Sequence, residues 1–133
     1  MKRRLILAYQ LVNGLLDTST GLLLLFSPAA TLRLMNLHAT AENFPFLSYI
    51  GAFVLSLGSA YLYGAFLTTQ PAFLQKLRVV WLLTGITRAV VAIFLIASIS
   101  RGAFDAGWTG VAITDGVLAL IQGIGLALGW LAD

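Results

Sequence analysis

The chain has 133 residues, 59% of them hydrophobic and only 10% charged, against roughly 25% charged in an ordinary soluble domain. It contains no cysteine, one histidine and two methionines, which excludes disulfides, thiol chemistry and Cys-ligated metals, so neither a metal nor a cofactor is expected. The formal net charge is only +3 and the basic residues lie at segment ends rather than in a patch, which argues against nucleic acid as a partner.

Met1-Lys-Arg-Arg4 precedes the first apolar run, residues 5–26. A basic start before an apolar stretch also describes a cleaved leader, with Ser27-Pro-Ala-Ala30 as its cleavage region. The run is longer than a leader core and carries Asn13 and Asp17, so an uncleaved helix is expected. Ser27-Pro28 reads as an N-cap followed by proline at the first helical position. It opens a short amphipathic helix over residues 29–36, whose Leu32, Leu34, Met35 and nearby Leu37 dip into the membrane interface. After a polar turn through Glu42 and Asn43, Pro45 introduces the second run, residues 46–67. The third is 79–99 and the fourth 109–131, joined by the tight connection Arg101–Trp108, where Arg101 and Asp105 are placed as a solvated pair. Each run is near the ~20 residues that cross ~30 Å of hydrocarbon.

The expected fold is therefore all-α, a single domain over 1–133: an integral membrane four-helix bundle, up-down-up-down. Lys2, Arg3, Arg4, Lys76 and Arg78 fall on one side and Arg33 and Arg101 on the other, which puts both termini in the cytoplasm and the amphipathic helix outside. Trp81, Trp108 and Trp130 sit where an aromatic belt would have them.

Three ionisable residues interrupt the apolar runs: Asp17, Arg88 and Asp115. A cation at the centre of a spanning helix costs about 2.5–3.5 kcal/mol on insertion scales, so the three are expected to meet away from lipid. In the first run Gln10, Asn13, Asp17 and Thr20 share a face with Gly14 and Gly21; in the third Trp81, Thr84, Arg88 and Ala92 do; in the fourth Asp115, Leu118, Gln122, Gly125 and Gly129 do. At 1.5 Å per residue, Asp17 lies roughly 2–3 Å outward of its midplane and Asp115 roughly 7 Å outward. The expectation is an Arg88–Asp17 pair, with Asn13 and Gln122 filling spare hydrogen bonds. Asp115 is then the poorly paired acid, set near Tyr49 or Thr84.

Small residues let helix backbones approach closely in membranes. The second run has a ladder of them at i+4 spacing, Ser48, Ala52, Ser56, Ala60 and Gly64, and Gly51 and Gly58 are expected to pack helices as well. Gly125-Leu-Ala-Leu-Gly129 is a GxxxG sequence, serving the bundle or a second protomer.

The proline-opened amphipathic segment leads into Tyr49-Ile-Gly-Ala-Phe-Val-Leu-Ser-Leu-Gly58. An Arg88-bearing third span follows, then a short loop, then Asp115-Gly116. In this order the chain resembles the small bacterial four-helix membrane proteins of the DoxX-like type. The resemblance implies the four-helix architecture and a bacterial cytoplasmic membrane, and it supplies no catalytic residue. Relatives tied to thiosulfate–quinone chemistry point to a quinone as a conceivable substrate class.

No phosphate loop, GxSxG, HExxH or Cys/His metal spacing occurs, and no residue is assigned as catalytic. The first reading is a non-catalytic membrane protein whose polar core (Asp17, Arg88, Asp115, Asn13, Gln122, Tyr49) binds a small amphiphile, or which serves as accessory subunit of a membrane complex. Its expected partners are membrane lipid, a lipophilic small molecule, a larger membrane complex or further copies of itself. The alternatives are a membrane enzyme or redox accessory acting on a lipophilic substrate such as a quinone, and a proton-coupled small transporter.

Overall fold

Runs of leucine, alanine and isoleucine, interrupted by proline only at residues 28, 45 and 71, leave the backbone little choice but helix wherever its polar groups are kept from water. The computed structural model describes residues 1–132. Among them five α-helices and two short 3-10 turns form and no strand does: α1 Lys2–Phe26, α2 Pro28–Leu34, α3 Phe44–Leu67, α4 Phe73–Ser100 and α5 Thr109–Ala127, with the 3-10 turns at Ala41–Asn43 and Ala106–Trp108. Three segments are long and apolar enough to cross a membrane: Ala41–Leu67, Phe73–Ser100 and Ala106–Ala127. At 1.5 Å per residue they extend about 33–42 Å, more than the ~30 Å of a hydrocarbon core. α1 has the length, but Lys2, Arg3, Arg4, Gln10, Asn13 and Asp17 make it less apolar than these three.

The chain divides into two compact units, Met1–Pro71 and the part from Ala72 onward. In the first, α1 and α3 lie backbone against backbone. A Cβ on Gly21 would stand 2.4 Å from the Leu55 backbone nitrogen, and one on Gly58 2.5 Å from that of Thr18. No side chain other than hydrogen fits either place. Gly51 lies in the same seam against Leu24 and Leu25. The buried residues of α3 are Leu47, Gly51, Gly58, Tyr61, Gly64, Ala65 and Leu67, so of the i+4 ladder only Gly64 is buried. Ser56 is exposed and donates to the Ala52 carbonyl (2.9 Å), as Ser59 does to Leu55 (2.9 Å). A serine that bonds its own helix needs no neighbour.

Between α1 and α3 the chain follows the expected turn with two differences. Ser27 stands at the N-cap of α2 and Pro28 at its first position, but the serine hydroxyl makes no capping bond; instead Thr31 donates to the Ser27 carbonyl (2.9 Å). The helix stops at Leu34, because Asn36 takes a left-handed φ of 55° and the Leu37 amide reaches back to the Leu32 carbonyl (2.8 Å). That is a Schellman closure, and Leu32 and Leu37, its usual apolar pair, are both buried. Leu34 is left exposed.

In the second unit α4 and α5 pack antiparallel through a short connection. Arg101 and Asp105, placed as an ion pair by the sequence, each bond backbone instead. The Arg101 Nε donates to the Ala97 carbonyl (3.0 Å), and the Asp105 carboxylate accepts from the Gly107 amide (2.7 Å), starting the 3-10 turn. The fourth apolar run is expected to stay helical to residue 131, but α5 ends at Ala127. Gly129, a packing candidate on sequence, has φ +68° and serves as the left-handed residue of the helix stop, with the Trp130 amide bonded to the Gly125 carbonyl (2.8 Å). Gly125 does pack: a Cβ there would lie 2.7 Å from the Trp81 ring.

Candidate functional site: a charged and an amide rung between two apolar helices

Arg88 stands on the buried face of α4 with Leu77, Trp81, Thr84, Ala92 and Leu95, the face that the 3.6-residue period selects. Only 3% of its side chain is exposed, and its guanidinium Nη1 donates to the Asp115 carboxylate of α5, itself 13% exposed. Asp115 therefore has a direct partner in Arg88, where the sequence reading expects it to be poorly paired. The reason lies in the ends of the helix. Counted over 109–131, Asp115 is well off centre, but the helical column runs over Ala106–Ala127, and within those bounds Asp115 lies about 2 Å from the middle. Arg88 lies about 2 Å from the middle of Phe73–Ser100, displaced toward the same connection, so the two are level.

Farther from the connection a second rung joins the same helices. Gln122 is fully buried, and its Nε2 donates to the Thr84 hydroxyl (2.7 Å), which in turn donates to the Val80 carbonyl (2.8 Å). The sequence assigns Gln122 to the charged pair; the structure gives it Thr84, one turn of α4 away from Arg88. Its Oε1 is buried without a hydrogen bond. This makes an asymmetry testable. Thr84→Val strands the Gln122 amide and is expected to cost about 1–2 kcal/mol, whereas Gln122→Leu removes the stranded acceptor too and is expected to be near neutral. Chemical or detergent unfolding followed by tryptophan fluorescence reads the difference, with Trp81 packed on Gly125 as the local probe.

The remaining candidates are placed as follows. Asn13 is buried, and its Nδ2 donates to the Tyr9 carbonyl of its own helix (2.8 Å), so it bonds its own backbone rather than the charged pair. Asp17 is half-buried on the same face of α1 as Asn13 and Gly14. Tyr49 is 64% exposed and packs edge-on against Phe53 (4.9 Å between centroids); it belongs to an outward aromatic face of α3 and not to a polar core. Gln10, placed on the polar face of α1 by the sequence, is not among the site candidates drawn from it. It is fully buried, both its amide atoms lack a hydrogen bond, and it lies against Gly64 at a distance that leaves a Cβ only 2.9 Å from the amide carbon. Its spacing from Asn13 and Asp17 put it on the right face, but nothing in the sequence told which small residue would face it.

Comparison with protein-family models, curated proteins and solved structures finds no match to this chain.

Proposed function

We propose that the chain is a non-catalytic multi-pass protein of a bacterial cytoplasmic membrane that binds a small amphiphile against the polar face of α4 and α5. In this reading α1, α3, α4 and α5 cross the bilayer up-down-up-down with both termini in the cytoplasm, in keeping with the DoxX-like pattern of the sequence. The observation that carries it is the Arg88–Asp115 pair near the middle of two apolar helices, since ionisable residues inside membrane spans are costly and are functional candidates by default. The unbonded Gln122 Oε1 offers an acceptor beside it. The crossing of α1 is supported by its two-sided character. Gln10, Asn13, Gly14 and Gly21 are buried, while Leu5, Val12, Leu15, Leu16 and Phe26 are exposed, an apolar surface suited to lipid.

Two experiments test this reading. Because the chain lacks cysteine, single cysteines at Lys2, Ala39, Gln70 and Ala103 report topology through a membrane-impermeant maleimide. Lys2 and Gln70 are expected to label from the cytoplasmic side and Ala39 and Ala103 from the other; Lys2 and Ala39 labelling from one side removes α1 from the bilayer. Native mass spectrometry from membrane vesicles reads the ligand. A small molecule is expected on the wild type and is expected to be lost from the Arg88→Met, Asp115→Leu double variant. An adduct-free wild type, or one that ejects with a stable protein partner and no small molecule, sinks the binding reading; the second result makes it an accessory subunit.

A further inference from the structure

A second place on the chain has the makings of a site, in the first unit and independent of Arg88. Between α2 and the start of α3 lies an open hollow of about 250 Å³. Its floor is apolar, made by Ala29, Leu32, Leu37 and Phe44, and its rim carries Arg33 and His38. The left-handed Asn36 and the Leu37–Leu32 hydrogen bond fold the chain so that residues five apart, Arg33 and His38, line one hollow. Among the described residues neither side chain takes part in a hydrogen bond or an ion pair. Glu42, the nearest acid in sequence, is exposed on the 3-10 turn and does not line the hollow.

We propose that this hollow holds the phosphate of an anionic phospholipid headgroup. A guanidinium offers a planar fork of donors matched to phosphate oxygens, and the imidazole adds another donor. A cation in the last turn of α2 is also favoured by the helix dipole, which accounts for a basic residue there but not for an apolar hollow beside it. The volume is smaller than the about 300–1,000 Å³ of drug-sized pockets, so it takes a headgroup and the first carbons rather than a whole lipid. Depth agrees. Phe44, part of the floor, opens α3 near one end of the Ala41–Leu67 segment that is apolar enough to cross a membrane. The hollow therefore lies at headgroup level if α3 crosses, and nothing in it depends on ligand binding at Arg88.

The test uses the full chain in dodecylmaltoside with an environment-sensitive dye on a single cysteine at Ala41, an exposed position beside the hollow. Dihexanoyl-phosphatidylglycerol is expected to give a saturable shift of the dye emission, with dihexanoyl-phosphatidylcholine at least fivefold weaker. Arg33→Gln is expected to weaken phosphatidylglycerol about tenfold, Arg33→Lys less, and Arg4→Gln, in the basic start of α1, not at all. Equal responses to the two lipids, an unchanged Arg33→Gln, or no saturable shift overturns the proposal. Displacement by inorganic phosphate at the concentration of the lipid overturns the lipid as occupant. Arg33 is exposed, so its variants are expected to keep wild-type helicity by circular dichroism. The Arg88→Met, Asp115→Leu variant is expected to respond like the wild type, which separates this site from the one on α4 and α5.

Discussion

Arg88→Met is expected to destabilise the protein by about 3–5 kcal/mol, the usual loss when one partner of a buried ion pair is removed and the other stays. The Asp115 carboxylate is mostly shielded and accepts its hydrogen bond from Arg88; methionine keeps much of the side-chain length but supplies no donor. Adding Asp115→Leu removes the stranded acid, and the double variant is expected to recover more than half of the loss. Replacing both ends of a buried pair by apolar groups is often neutral, and inside a bilayer it also removes the cost of a charge at mid-depth. Equilibrium unfolding in mixed micelles, followed through Trp81, Trp108 and Trp130, gives all the values of the cycle. If the single and double variants are equally unstable, the loss comes from packing of the arginine stem and the pair contributes little. If Arg88→Met unfolds like the wild type, the charged rung does not hold α4 to α5.

How far the sequence alone reaches can be judged from single residues. α3 was expected over 46–67 and is found at Phe44–Leu67, because apolar composition and Pro45 fix its limits locally. The placing of Arg88 on the buried face of α4 also follows from periodicity alone. The pairing with Asp115 does not. Whether Asp115 lies level with Arg88 depends on where α5 starts and stops, and both ends are set by backbone events with weak sequence signals: the 3-10 turn at Ala106–Trp108 and the left-handed Gly129. A glycine near the end of an apolar run reads equally well as a packing residue or a helix stop. Serines misled in a different way. Ser48 and Ser56 mark a small-residue face by spacing, yet Ser56 satisfies itself on the Ala52 carbonyl and points away from α1. The amides show the same limit, since periodicity puts Gln122 on the face of Asp115 while its acceptor, Thr84, depends on the register of two helices that no local rule sets.

In the first unit the packing of α1 against α3 rests on their close approach, and there Gly21→Val is expected to have the second large effect. The new Cβ would stand 2.4 Å from the Leu55 nitrogen, 2.7 Å from its Cα and 2.9 Å from the Gly51 carbonyl oxygen. All three are backbone atoms of a continuous helix, so no rotamer change relieves the contact and the helices must separate. Overpacking of this kind costs about 1–3 kcal/mol, occasionally more, and it loosens the van der Waals contact between the two helices. Gly14→Ala provides the comparison. Its two closest neighbours, at 2.7 and 2.9 Å, belong to the Leu62 side chain, which can rotate aside, and the nearest backbone atom, the Leu62 nitrogen, stands at 3.1 Å rather than 2.4 Å; the loss is expected to be under half that of Gly21→Val. Thermal unfolding in detergent with tryptophan-independent detection, such as circular dichroism at 222 nm, ranks the two, because the tryptophans all lie beyond residue 80. Equal losses at both positions would mean that α1 and α3 meet through adaptable side chains, and that the spacing of Gly21, Gly51 and Gly58 does not set how closely the two helices pack.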